Sequence, residues 1–286
     1  MIIRTRLKRL SSRSTERIAQ KREKEKNMSR ASRNFLPGRI WHITHRCHKK
    51  EFLLKFRRDK LLWLYWTLQA KIRYGLIVLN FMITSNHVHL LATGHRGGHQ
   101  SIPRALQLME SRVAQEYNGR KNRHGAFWED RYHATAIERG DQFVNCLTYI
   151  DINMVRAGVV GHPKDWPYCG YDELMRPHVR RTSQLIDTGL LMELVGAKDI
   201  RALQTMRSEW IDLAIRKGRL QREPIWTESV AVGSEEYLRK IQAELAGKMK
   251  MAVIAPGGET TAQSVLRRTR GTYLCIFKGK NEDIRP

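Results

Sequence analysis

Two short stretches of this chain carry residues that could do chemistry together. In FMITSNHVHLLATG, residues 81–94, the histidines His87 and His89 stand one residue apart in an otherwise apolar run. A strand turns alternate side chains to opposite faces, so both imidazoles would point the same way. That is an awkward choice for a core and a good one for gripping a ligand. In GDQFVNCLTYIDINMVRAG, residues 140–158, two stripes run along an expected helix. Phe143, Leu147, Ile150 and Met154 recur at helical spacing and should face a sheet. Asn145, Tyr149, Asn153 and Arg156 form a polar stripe beside them, with Tyr149 and Asn153 one turn apart. If that stripe meets the histidines, two neutral imidazoles and an amide oxygen make a three-ligand site with open positions for a divalent metal. Such an ion can polarise a phosphoryl oxygen. Tyr149 would then be placed as a nucleophile forming a phosphotyrosine, with Arg156 near enough to offset charge.

Plainer readings stand beside these. Two histidines in this spacing, taken alone, read more readily as a hydrogen-bonded pair in a polar pocket, and Tyr149 as a helix aromatic with its hydroxyl in water. Tyr117 is a competing tyrosine, but it shares a stripe with Leu106, Met109 and Val113 and reads as core. His42, His45 and His48 suggest a second cluster; on a strand, however, His42 and His45 face opposite ways, so they read as structural or substrate-contacting. Trp63, Tyr65 and Trp66 read as packing groups. Trp128, Arg131 and His133, near a loop-to-strand junction, are candidates for nucleic-acid contact.

The elements that must position these groups follow from periodicity. RIWHITHRC reads as a first strand, and RRDKLLWLYWTLQAKIRYG as a helix ending near Gly75 with Leu61, Leu64, Leu68 and Ile72 on one stripe. LIVLNFMI and HVHLLATG read as strands joined by a tight turn at Thr84, Ser85 and Asn86. A second helix spans SIPRALQLMESRVAQEYNG, with Ser101 as a possible cap and Pro103 in its first turn. RYHATAIE reads as a strand, and the third helix opens at Asp141 and closes at Gly158. The order β-α-β-β-α-β-α over residues 38–160 is an α+β class, the split βαβ or ferredoxin-like arrangement of an antiparallel sheet with one added helix. Farther on, KDIRALQTMRSEWIDLAIRKG and GSEEYLRKIQAELAGKMK read as helices, and GTYLCIFKGK as a short strand or tail element.

Composition narrows the partners. The chain has 286 residues, 52 Lys and Arg against 28 Asp and Glu, and a formal net charge of +24. An excess of that size points to a polyanion, most simply nucleic acid, and argues against an acidic protein partner. No stretch approaches the length of a membrane span. Cys47, Cys146, Cys169 and Cys275 form no C-x-x-C pair and read as thiols of a reducing compartment, the cytoplasm, rather than as disulfides or a zinc site. Residues 1–34 are rich in Arg, Lys and Ser with little apolar periodicity and read as a disordered basic arm. Met28 is an alternative start.

The motifs together resemble a family. SNHVHLL looks like the His-hydrophobic-His motif of the HUH single-strand endonucleases. YIDINMVRAGVV is similar to the catalytic helix of single-tyrosine insertion-sequence transposases, specifically of the REP-associated tyrosine transposases. FWEDRYH, DWPYCGY and GRIWHITHR resemble the same group, over about residues 35–175. The resemblance implies His87, His89 and Asn153 as metal ligands, Mg²⁺ or Mn²⁺ as the ion, and Tyr149 as nucleophile. It also implies a single-stranded DNA hairpin as substrate, so that contact at Trp128, Arg131 and His133 would be to DNA, and a 5′-phosphotyrosine with a free 3′-OH. The family's usual Asn-Pro-Val reads Asn153-Met154-Val155 here, so the proline is missing but no proposed catalytic group is.

The expected organisation is therefore a basic arm over 1–34, a single-tyrosine HUH transposase domain over 35–175, and a mainly helical accessory region over 176–286. The expected activity is metal-dependent cleavage and strand transfer of hairpin DNA in transposition, with no nucleotide cofactor and no membrane. A non-catalytic hairpin-binding protein of the same fold is the rival reading. A relaxase or replication initiator is a further one, disfavoured because no phosphate-gripping G-x-x-x-x-G-K-[ST] loop is present.

Overall fold

The structure, a computed structural model, describes residues 35–94, 101–176, 184–246, 251–254 and 264–268. The basic arm, Met28, Cys275 and GTYLCIFKGK lie outside the described residues.

Strand β1 (Ile40–Arg46) is followed by helix α1 (Arg57–Tyr74), the hairpin of β2 (Leu76–Ile83) and β3 (His87–Gly94), helix α2 (Ser101–Lys121) and strand β4 (His133–Ile137). These four strands lie in the order β2-β3-β1-β4, each antiparallel to its neighbour. Each of β1 and β3 thus reaches its parallel partner, β2 or β4, through a helix that skips one strand. This is the split βαβ arrangement the periodicity predicts.

Consecutive side chains of β2 show the two layers on this sheet. Phe81 lies 6.2 Å from the Trp63 ring of α1. Asn80, pointing the other way, donates its amide to Asp151 of the next helix at 2.8 Å. That helix, α3 (Asp141–Asp151), and the single turn α4 (Asn153–Arg156) are separated only at Ile152. The departure is slight: Ile152 sits at φ −81°, ψ 7° and still donates its amide to Thr148 at 3.0 Å. Tyr149 and Asn153 therefore remain one turn apart across this break. Gly140, at φ 77°, is the residue before the first turn rather than Asp141. Asp141 lies inside that turn, where its charge complements the helix N-terminus.

Helix α1 differs from its predicted packing. Leu61 and Ile72 are exposed and Leu64 and Leu68 only half-buried, while Trp63, Trp66, Thr67 and Ala70 face inward with Asp59 and Lys60. The two tryptophans offer more apolar area than the leucines, and the inward residues Asp59, Lys60 and Trp66 each make a polar contact. Asp59 pairs with Arg120 of α2, Lys60 Nζ donates to the Lys55 carbonyl at 2.6 Å, and Trp66 Nε1 donates to Glu116 at 2.9 Å. Tyr65 is exposed. Gly75 ends the helix at φ 65°, the left-handed conformation its sequence position suggests. Tyr117 is core, beside Phe127, and Cys47, Cys146 and Cys169 are buried free thiols.

The C-terminal region is mainly helical, with α5 (Gly170–Met175), α6 (Thr188–Val195), α7 (Ile200–Arg216), α8 (Ile225–Glu228) and α9 (Glu235–Leu245). Three short strands, β5 (Ala231–Gly233), β6 (Met251–Ile254) and β7 (Ser264–Arg268), extend the sheet. Strand β5 pairs in parallel with β4, giving seven strands among the described residues in the order β2-β3-β1-β4-β5-β7-β6. No helix among the described residues is long and apolar enough to cross a membrane.

Candidate functional site

Register brings the polar groups together. In the β1–β3 ladder His89 is opposite Thr44 and His87 opposite Arg46, so His42, Thr44, Arg46, His87 and His89 share one face. Helices α3 and α4 cover that face. A cleft of about 570 Å³ opens there, lined by Thr44, Arg46, His87, His89, Tyr149, Asn153 and Arg156 among others. Of the residues singled out from sequence, Arg131 and His133 also line it, whereas Trp128 and Asn145 do not. Trp128 stacks on His45, 4.2 Å between ring centroids, and donates its indole N–H to the Glu110 carbonyl at 3.1 Å.

Hydrogen-bond partners fix the proton on each imidazole. His42 Nδ1 lies 2.9 Å from the Trp226 carbonyl, which can only accept, so His42 carries its proton there. Burial pushes its pKa down to about 3, and its Nε2 is left bare. That nitrogen, 2.9 Å from His89 Nδ1, must accept from it. His89 therefore presents a bare Nε2, which the Asn153 amide meets at 2.8 Å. His87 is fixed independently. The Asn86 amide nitrogen donates to the Lys50 carbonyl at 3.2 Å, so Asn86 Oδ1 is the atom 2.8 Å from His87 Nδ1 and takes its proton. His87 Nε2 is then bare as well. Burial, aided by Arg46, Arg156 and Arg222, lowers the His87 pKa to about 4, and burial also holds His89 well below its ordinary value. Both rings are neutral at neutral pH, the state a metal ligand requires.

Tyr149 is 4% exposed, its ring 6.2 Å from both His42 and His89 and 6.0 Å from Trp226. The Arg156 guanidinium sits over that ring, 4.0 Å from its centroid. Burial raises the phenol pKa, while Arg156 and Arg222 pull it back down. Among the described residues no three His, Cys, Asp or Glu side chains cluster as a metal site. The groups that could hold a divalent ion there are the two bare imidazole nitrogens and the Asn153 amide.

Residues 40–153 match the family model described as IS200-like transposase. Over this segment the chain is similar to the IS200-like transposases. The match includes His42, His87, His89, Tyr149 and Asn153 and ends before Arg156. Among solved structures, the chain is similar to a REP-associated tyrosine transposase bound to a REP hairpin, with TM-score 0.42 and 18% identity over 55% of this chain and 90% of that one. It is also similar to a candidate transposase from Deinococcus radiodurans R1, with TM-score 0.30 and 13% identity over 37% of this chain and 85% of that one. None of the curated proteins compared with the chain matches it.

Sequence reasoning missed several residues of the cleft. Arg46 was findable, because pairing β1 with β3 places it across from His87. His42, which the sequence singles out as structural or substrate-contacting, is buried on the same strand face and does not line the cleft. Leu220, Arg222 and Thr227 line the cleft from beyond the transposase match, and no periodicity in the sequence announces them.

Proposed function

We propose that the transposase domain cleaves and rejoins single-stranded DNA at a REP-like hairpin through a 5′-phosphotyrosine on Tyr149, with Mg²⁺ or Mn²⁺ held by His87, His89 and Asn153. The observation that carries this reading is that two bare imidazole nitrogens, an amide and a buried tyrosine under an arginine open on one cleft. A divalent ion bound there would supply Lewis-acid polarisation of the scissile phosphate. His87 and His89, already neutral, need lose no proton to bind it. Asn153 would turn its amide to offer Oδ1 in place of the nitrogen now facing His89.

The tyrosine does the bond chemistry. Burial keeps the Tyr149 phenol protonated at neutral pH, so its proton passes to cleft water as Oη bonds to phosphorus. The bond from phosphorus to the 3′ oxygen breaks, and that oxygen takes a proton from cleft water and leaves as a free 3′-OH. Arg156 favours the phenolate by its charge over the ring. Arg46, Arg131 and Arg222 on the cleft walls suit the flanking phosphates. Hairpin DNA as the substrate rests on the motif resemblance, and the basic cleft is in keeping with it.

A denaturing gel tests the mechanism. The protein is incubated with labelled single-stranded hairpins, with Mn²⁺ or with chelator, beside Tyr149→Phe. A covalent band that needs both the metal and Tyr149 is the expected result, with hairpin binding retained by Tyr149→Phe. Native-gel shifts with no covalent band on any hairpin would move the protein to the class of non-catalytic hairpin binders.

A further inference from the structure

We propose that His42 is a positioning residue for the metal centre: it holds His89 in the Nδ1–H form, and the main-chain carbonyl of Trp226 holds His42 in turn. A segment beyond the transposase match thus completes the site. The inference rests on the reading of His87, His89 and Asn153 as metal ligands.

Two observations carry it. The His42 and His89 rings are nearly coplanar, 9° apart with centroids 5.1 Å apart, which aligns the N–H of one with the lone pair of the other. Both rings are buried. If His42 did not accept there, His89 would have either a buried N–H without a partner or its proton on Nε2. A proton on Nε2 would point an N–H at an incoming cation and abolish the ligand.

The Trp226 carbonyl is itself fixed in place. Thr135 of β4 lies within hydrogen-bond distance of both the Trp226 and Ser229 carbonyls, at 3.2 and 2.7 Å, and His133 Nε2 lies 2.8 Å from the Ser229 carbonyl. The Trp226 indole N–H donates to Glu223 at 2.8 Å. The same tryptophan thus backs the Tyr149 ring with its own ring and, with its carbonyl, the His42 that holds His89. Partners of this second layer set the tautomer and basicity of a ligand, and losing one costs about 10–100-fold in metal affinity.

Two substitutions separate positioning from simple packing. His42→Asn keeps a donor for the Trp226 carbonyl but no acceptor that reaches His89, while His42→Gln places an amide oxygen near the position of Nε2. In Mn²⁺ titrations followed by electron paramagnetic resonance, His42→Asn should bind about 10–100-fold more weakly, and His42→Gln should stay within about threefold of the parent. Hairpin binding in chelator and the thermal midpoint report whether each variant is folded. In parallel, ¹⁵N-histidine NMR of the metal-free protein should show His89 protonated at Nδ1, with that proton moving to Nε2 in His42→Asn. Equal Mn²⁺ affinity in all three proteins, or His89 already protonated at Nε2 in the parent, overturns the proposal. The parent's spectrum decides that point even if a variant does not fold. A parent that binds no Mn²⁺ but shows the expected tautomers would sink the metal reading and leave His42 as the group that sets His89.

Discussion

The matched segment and the C-terminal region build the same cleft by different means. Residues 40–153 contribute side chains whose types and spacing already suggest chemistry: a histidine pair on one strand face, and a tyrosine and an asparagine one helical turn apart. The C-terminal region contributes a carbonyl from Trp226, a rim arginine at Arg222, and Arg207, which is fully buried and ion-paired to Asp151 at 2.6 Å. A site can therefore be recognised from one region while its geometry depends on another.

The largest effect expected from that dependence is at Arg207. Its guanidinium makes two-pronged contact with Asp151, the last residue of α3, whose carboxylate also accepts the Asn80 amide. Helix α7 is thereby tied to the helix that carries Tyr149. Arg207→Met would leave the Asp151 carboxylate buried and only partly compensated, which should cost about 3–5 kcal/mol in urea unfolding. Pairing it with Asp151→Leu should recover part of that loss, because the uncompensated charge is gone. A cost below about 1 kcal/mol for Arg207→Met would mean that the C-terminal region rests on the domain without bracing it.

What was legible in the sequence divides along the same line. The four-strand order, the turn at Thr84–Asn86 and the shared face of Tyr149 and Asn153 all follow from local periodicity, because a strand or a helix repeats within a few residues. Strand β5 spans only Ala231–Gly233, too short for alternation to show. The Trp226 carbonyl is invisible for a more basic reason: every residue but its neighbours in a pattern carries the same backbone, and only tertiary placement makes one carbonyl matter. His42 lies between these cases. Its face on β1 could be read, but its partner could not.

A smaller effect tests whether both regions meet the DNA. Arg46 enters the cleft from β1 and Arg222 from the C-terminal region, the latter exposed and paired with Glu228 at 2.9 Å. If each contacts one phosphate, Arg46→Ala and Arg222→Ala should each weaken hairpin binding severalfold at low salt. Each should also lower the slope of log affinity against log salt by about 1, whatever the hairpin sequence. A reduced slope for Arg46→Ala alone would confine the DNA path to the matched segment and leave Arg222 as a surface ion pair.

The smallest effect sharpens the comparison from inside the matched segment, where sequence pattern misled. Leu61, Leu64, Leu68 and Ile72 make a regular stripe on α1, yet Leu61 is 40% and Ile72 69% exposed. In the C-terminal region the regular stripe on α7, Leu203, Arg207, Ile211 and Ala214, is the buried one even with a charge in it. On α1 burial followed partners rather than pattern, Trp63 and Trp66 outweighing the leucines, whereas on α7 it followed the stripe, with Asp151 accommodating Arg207. Leu61→Ser should therefore change stability by no more than about 0.5 kcal/mol, whereas Trp63→Ala, which empties a buried ring site, should cost about 3–5 kcal/mol. A large cost for Leu61→Ser would mean that the leucine face of α1 is covered in solution, and size measurement of the parent would then show whether a second copy covers it.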